Sequence, residues 1–251
     1  GNTKGIFQLE SRLGQHNAKL LKPSNLKELA ALIAIIRPGA MEATLEDGKN
    51  ITTHFINRKN GLEEPTCEFP ILEPILKDTY NLLIYQESSL KIANKIAGFT
   101  LEESEVLRKA VGRKKPEIMT KVEGQFIEGC KKIGLVSEQE AKGIFAWIAA
   151  SVRYQFNLSH SILYGVNTYL SAYAKAHFKY AFFTSYLFYA KDKQDKFDEI
   201  KGLVTNAKQM SIDIDPPSFK HCNKHFEHVN DHIYFGISDV KGIGESTYKN
   251  V

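Results

Sequence analysis

The chain has 251 residues, 43% of them hydrophobic and 25% charged, proportions that fit a folded protein with a sizeable core and exclude a disordered, collagen-like or disulfide-scaffold class. Lys and Arg outnumber Asp and Glu by 33 to 29, and a formal charge of +4 does not by itself argue for a nucleic-acid partner. Cys67, Cys130 and Cys222 lie far apart, so no disulfide framework is implied and a reducing cytoplasm is the expected home. The longest stretch without a charge, residues 154–174, carries Gln155, Asn157, His160, Asn167 and Thr168, which excludes a bilayer span there. Residue 1 is Gly with no signal-like apolar region behind it, so the chain is expected to be a piece of a longer protein.

Residues 26–36 form an apolar-rich helix candidate that stops at Arg37, because Pro38 restricts its predecessor, and a turn is expected at Gly39. Pro65, Pro70 and Pro74 punctuate an irregular stretch, after which residues 82–97 run at helical spacing through Leu83, Leu90, Ala93, Ile96 and Ala97 to Gly98. Thr100 with Glu103 fits a capping box for a helix starting at Leu101 and ending near Gly112. Pro116 suits a first helical position, and Ile118, Val122, Phe126, Cys130 and Ile133 follow at steps of three and four. Ser137 and Glu140 make a second capping box, and a further long helix is expected from about Ser159 toward Lys175. Residues 195–210 place Phe197, Ile200, Val204 and Ala207 on one side of an amphipathic surface helix. Pro216 and Pro217 close the helical region, and residues 226–229 and 233–237 read as two strands around Asn230 and Asp231. The expected fold is mainly α: a multi-helical domain over 1–212, then a connector and short β-hairpin over 213–251.

Two stretches carry candidate chemistry. Arg108, Lys109, Arg113, Lys114 and Lys115 gather at one helix end, where cations suit a phosphate and equally suit the helix dipole on a solvated face. Residues 141–191 contain no Asp or Glu but hold Lys142, Arg153, Lys175, Lys179, Lys191 and seven of the eleven tyrosines. Unpaired cations among rings fit a nucleotide or nucleic-acid groove, although about two thirds of these rings are expected in the core. Within that stretch Asn157 and Ser159 stand at a helix entry, with His160 and Tyr164 four apart on one face, where free backbone N–H groups can meet an anion. His160 on this pattern alone also fits a structural residue.

Gly5-Ile6-Phe7-Gln8-Leu9-Glu10-Ser11, Arg37-Pro38-Gly39-Ala40-Met41-Glu42, Leu72 to Tyr80, and Tyr85-Gln86-Glu87 occur in an order that resembles bacterial DNA polymerase III alpha subunits, the C-family replicative polymerases. Ala97-Gly98-Phe99, Leu107-Arg108-Lys109-Ala110, Phe156-Asn157 with Ser159-His160-Ser161, and Val240-Lys241-Gly242-Ile243-Gly244 continue the match over almost the whole chain. The resemblance implies a helical fingers domain, with the last stretch entering a helix-hairpin-helix region. It implies that Arg108 and Lys109, with Arg113 and Lys114, grip the incoming nucleotide's triphosphate, and that Asn157, Ser159, His160 and Tyr164 line its pocket. It places Arg37, Lys241, Gly242 and Gly244 on DNA. The implied partners are dNTP, template-primer DNA, the palm and thumb domains, the sliding clamp and other replisome subunits.

Four positions depart from the family pattern: Lys109 where a second Arg is usual, Leu158 where Lys is usual, Ala40 for Pro and Asn81 for Gly. A point charge at Lys109 orients phosphate less tightly than a guanidinium fork, and Leu158 removes another cation, which implies a divergent member. Nucleotidyl transfer needs Mg2+ held by an Asp/Glu cluster, which the family keeps in the palm, outside this chain, so the chain alone is expected to be inactive. Asp213-Ile214-Asp215 imitates the metal pair but precedes Pro216-Pro217 and reads as a solvated linker. His221, Cys222, His225, His228 and His232 suggest zinc by composition, but strand periodicity would scatter them over both faces, so no metal is expected. The alternative reading is a non-catalytic DNA-binding module that holds duplex phosphates through its basic face and the Gly242-Ile243-Gly244 hairpin.

Overall fold

The computed structural model describes residues 1–113, 116–218, 220–221, 223–240, 242–243 and 245–248, with the side chains of 111–113, 116–118, 245 and 247 outside that description. The fold is mainly α. In chain order the helices are α1 (Arg12–Leu21), α2 (Leu26–Ile35), α3 (Pro38–Glu42), α4 (Ile51–Lys59), α5 (Glu73–Leu76), α6 (Gln86–Ala97), α7 (Leu101–Arg113), α8 (Pro116–Ile133) and α9 (Glu138–Ser151). There follow α10 (Leu158–His177), α11 (Lys179–Ala190), α12 (Lys196–Gln209), the strands β1 (Asp213–Asp215), β2 (Glu227–Val229) and β3 (His232–Tyr234), and α13 (Glu245–Tyr248). No helix among the described residues is long and apolar enough to cross a membrane. Two compact units emerge, one of residues 17–166 and one that joins 1–16 to 167–251.

In the unit of residues 17–166, helices α6 to α9 pack around a common core. Val122, Phe126 and Cys130 face inward from α8 at helical spacing and meet Ile92 and Ile96 of α6, Leu107 of α7, and Ile144 and Phe145 of α9. Both capping boxes form: Thr100 Oγ1 accepts from Glu103 N while Glu103 accepts from Thr100 N, and Ser137 and Glu140 repeat the exchange. Gly98 ends α6 at φ 67°, the left-handed conformation that glycine adopts without strain. One turn from the end of α8, a Cβ on Gly129 would lie 2.1 Å from the Ala97 carbonyl oxygen, so α8 meets α6 backbone to backbone.

The sequence expectations need correction at several points in this unit. The helix expected over 82–97 starts only at Gln86, because Tyr80 and Asn81 take φ 51° and 60° and the buried Leu82, Leu83, Ile84 and Tyr85 continue as extended chain. A continuous apolar run has the same appearance as a buried helix. Asn81 explains one departure from the family pattern, since Asn is the non-glycine residue that best tolerates a left-handed backbone, and its Nδ2 donates to Pro65 O at 2.5 Å. The turn expected after Arg37 is a short helix, α3, with Pro38 at its first position. Helices α4 and α5 were not expected, nor were α1, which runs from one unit into the other, and α11 of the other unit.

In the other unit, Phe183 and Leu187 of α11 and Leu203 and Ala207 of α12 share a core with Ile212, Phe226 and Ile233. The sheet order is β1-β3-β2, with β1 parallel and β2 antiparallel to β3. The two expected strands are present but shorter, and Ile237 lies in a 3-10 turn instead. Residues 213–215 are a paired strand and not a solvated linker, because Ile214 pairs opposite the fully buried Ile233 and draws its neighbours into the ladder. Lys175, expected as a groove cation, is 3% exposed and its Nζ donates to Asn2 O, Asn2 Oδ1, Lys4 O and Asn206 Oδ1. It holds the first residues of the chain against α12 and is closed to any ligand.

Candidate functional site

The extended segment before α6 positions the start of α10. Tyr85 and Phe156 form a parallel bridge, Phe156 N donates to Ile84 O at 2.9 Å, and Gln86 N donates to Phe156 O at 2.9 Å. Glu87, in the first turn of α6, then receives two bonds from the α10 entry: Asn157 Nδ2 donates to Oε1 at 2.8 Å and Leu158 N to Oε2 at 2.8 Å. Asn157 Oδ1 accepts from His160 N at 2.8 Å and so acts as the N-cap. Of the first three helical amides, Leu158 N and His160 N are therefore occupied, and Ser159 N is without a partner among the described residues.

The rings beside this helix start form a continuous row. Arg37 Cζ lies 3.7 Å from the centre of the Phe156 ring, Phe156 meets His160 edge-on at 5.2 Å, and His160 overlies Tyr164 at 3.9 Å with 32° between planes. Arg37 Nε donates to Ala34 O at 3.0 Å and Nη2 to Tyr154 O at 3.4 Å, and burial pushes its pKa down from the usual arginine range.

Arg108 and Lys109 project from α7 and both face Glu105. Arg108 holds it through Nε at 2.8 Å and Nη2 at 2.6 Å, and Lys109 Nζ stands 3.7 Å away. The bond from Glu105 raises the Arg108 pKa, and the charge of Glu87 adds to that rise. Glu87 thus acts on Arg108 through its field and on Asn157 and Leu158 through hydrogen bonds. Arg113's side chain, Lys114, Lys241 and Gly244 lie outside the described residues, whereas Gly242 has φ 89° and belongs to the other unit.

The remaining expectations divide differently. Of the seven tyrosines in 141–191, Tyr154 alone is buried, while Tyr169, Tyr173 and Tyr189 are exposed, so the expected two-thirds share in the core is wrong. Helix α10 turns much of its surface outward, and spacing alone cannot tell a packed ring from an outward one. Lys142 pairs with Glu138 at 2.8 Å, a carboxylate just outside the acid-free stretch. Among the described residues no group of three or more His, Cys, Asp or Glu could hold a metal ion. His221 stacks on Tyr234, His225 faces Asp239, His232 faces Asp215, and Cys222 lies outside the described residues.

Sequence reasoning missed Glu87, Glu105 and the part played by Phe156. Glu87 was in view within Tyr85-Gln86-Glu87 but carried no role, and Glu105 was discoverable as the acid three residues before Arg108 on one helix.

A family model described as the bacterial DNA polymerase III alpha subunit finger domain matches residues 1–134. The chain is 36% identical over 250 residues to the DNA polymerase III subunit alpha of Aquifex aeolicus, covering 99% of this chain and 21% of that protein. It is 38% identical to the Pseudomonas aeruginosa subunit over 97% of this chain and 20% of that one, and 37% identical to the Thermus aquaticus subunit over 98% and 20%. The chain therefore spans about a fifth of the length of the curated relatives it matches. On these matches the chain belongs to the bacterial DNA polymerase III alpha subunit family, in its finger domain.

Proposed function

We propose that this chain is the fingers portion of a cytoplasmic, replicative DNA-directed DNA polymerase that binds the incoming dNTP and template-primer DNA while a palm outside the chain performs nucleotidyl transfer. Arg108 and Lys109 bind the triphosphate together with Arg113 and Lys114. Ser159 N–H, His160, Asn157 and Tyr164 line the nucleotide's seat, and Arg37, Lys241, Gly242 and Gly244 contact DNA. Residues 1–212 serve as the helical fingers and residues 213–251 as the connector toward a helix-hairpin-helix region. The palm, thumb, sliding clamp and other replisome subunits complete the assembly.

What supports this reading is the hold of Glu87 on the α10 entry, with the charge of the same Glu87 acting on Arg108 of α7. Phosphoryl transfer is accelerated mainly by holding the phosphates in place and neutralising their charge, which needs positioned cations and amides more than reactive groups. Arg108 must exchange Glu105 for a phosphate oxygen; such an exposed intrahelical pair is worth about 0.5 kcal/mol, a small obstacle to a triphosphate. Mg2+, held by palm carboxylates outside this chain, would supply the remaining charge neutralisation and the activation of the primer hydroxyl. The described residues here do not fit that ion: Asp215 Oδ2 is 3.1 Å from His232 Nδ1, and no third carboxylate joins Asp213 and Asp215.

The test is titration of the chain with a fluorescent dNTP, followed by template-directed extension with a palm supplied in trans. Arg108→Ala should weaken nucleotide binding by about tenfold or more, the loss of one bidentate charge-assisted contact. Unchanged affinity in that variant rejects the nucleotide site. Salt-sensitive DNA binding with no restored extension would favour the non-catalytic module.

A further inference from the structure

A cavity of about 510 Å3 lies within the unit of residues 1–16 and 167–251, far larger than an inorganic phosphate requires and within the range of small-ligand sites. Its floor is apolar, built from the buried Leu187 and Phe226 together with Ile200. One polar side chain of the lining keeps an unused atom. His225 is oriented by Asp239 Oδ1, 3.2 Å from its Nδ1, which leaves its Nε2 without a partner among the described residues.

The exposed wall carries Lys191 and Lys196. Neither has a carboxylate within ion-pair distance among the described residues. Lys191 Nζ sits 3.7 Å over the Phe188 ring and Lys196 Nζ 5.0 Å over Phe197. The acid that does line the cavity, Asp239, is already engaged, through Oδ1 by His225 and through Oδ2 by Phe226 N at 2.9 Å. Cations at the rim, an apolar floor and one unused ring nitrogen call for a ligand with a phosphate at one end and a flat, hydrogen-bonding ring at the other.

We propose that this cavity binds a nucleoside monophosphate unit, its phosphate between Lys191 and Lys196 and its base over Leu187, Ile200 and Phe226 with an edge on His225 Nε2. The unit is supplied either as a free nucleotide or as one residue of a DNA strand. The cavity is formed within a different unit from the one that holds Arg108, and the proposal does not rest on the nucleotide seat proposed above.

Isothermal titration of the full chain with dAMP, with inorganic phosphate and with a short oligothymidylate tests this. Either nucleotide probe should bind, and phosphate alone should bind about tenfold more weakly, since it cannot use the apolar floor. Tighter binding of dAMP identifies the free nucleotide as the source, and tighter binding of the oligonucleotide identifies the strand. The K191Q/K196Q double variant should lose about tenfold or more, and Arg108→Ala should leave this binding intact. Absence of binding by both nucleotide probes, indifference to K191Q/K196Q in a variant that unfolds at the wild-type temperature, or loss through Arg108→Ala would overturn it.

Discussion

The guanidinium of Arg37 rests 3.7 Å above the ring of Phe156, and Phe156 in turn meets His160 edge-on at 5.2 Å, so a cation from the end of α2 supports the first turn of α10. Two hydrogen bonds to the Ala34 and Tyr154 carbonyls fix the guanidinium there. Arg37→Met keeps the apolar bulk and removes the charge and both bonds. Urea unfolding should show a loss of about 1–2 kcal/mol, combining a partly desolvated cation–π contact with the bonds. An unchanged midpoint and slope would show that Arg37 holds nothing together and is free for DNA.

Glu105 occupies Arg108 and stands close to Lys109, the two cations to which the proposed function gives the phosphates. Glu105→Gln removes the competing charge without altering the shape of α7. On the proposed function, dNTP affinity should rise about twofold to threefold, the equivalent of a surface ion pair. A fall in affinity would mean that Glu105 positions the guanidinium instead of masking it.

Gly129→Ala would set a methyl 2.1 Å from the Ala97 carbonyl oxygen, a distance no atom pair tolerates. The neighbour is backbone and cannot turn aside, so α8 must move from α6 and loosen the layer around Phe126. The expected cost is about 3 kcal/mol, read from thermal or urea unfolding. Gly124→Ala, on the same helix with open space around it, is the control and should be neutral or slightly stabilising through helix propensity.

Burial lowers the Lys175 pKa to about 8, against 10.5 for an ordinary lysine. Between these two values the unfolded chain binds the proton that the folded chain has released, so this residue's contribution to stability increases as pH rises. Below pH 8 both states are charged and the burial penalty is fully present. The unfolding free energy of wild type minus that of Lys175→Met should therefore climb by up to about 1.4 kcal/mol per pH unit from pH 8 to 10. A flat difference would show that the four oxygen acceptors hold the ammonium charged throughout.

Legibility in the sequence followed the physics of each element. Helices α7, α8 and α9 were visible because Thr100, Pro116 and Ser137 mark their starts and one face of each is apolar. Helix α11 was not, because aromatic and apolar residues surround it and leave no stripe for a period to reveal. Residues 82–85 misled for the opposite reason: four consecutive buried positions fit a helix or an extended strand equally well, and the left-handed pair at 80 and 81 decides between them. In the candidate site, the residue types at Arg108, Asn157 and His160 were readable. The closing of Glu87 on Asn157 and Leu158 was not, since nothing in a linear chain reports which acid will close on a helix start some seventy positions later.

That clasp has a consequence for how the molecule comes into being. The bonds from Asn157 and Leu158 to Glu87 span 70 and 71 positions, and the Tyr85–Phe156 bridge spans a similar interval. During synthesis the helices between them can form early on local contacts, but the edge at Tyr85 waits, unmatched, until the ribosome has released the segment around residue 156. The last part of that unit to be made is thus the part that completes the candidate site, and a chain stalled before it would hold a core yet lack the entry of α10 that Glu87 clasps.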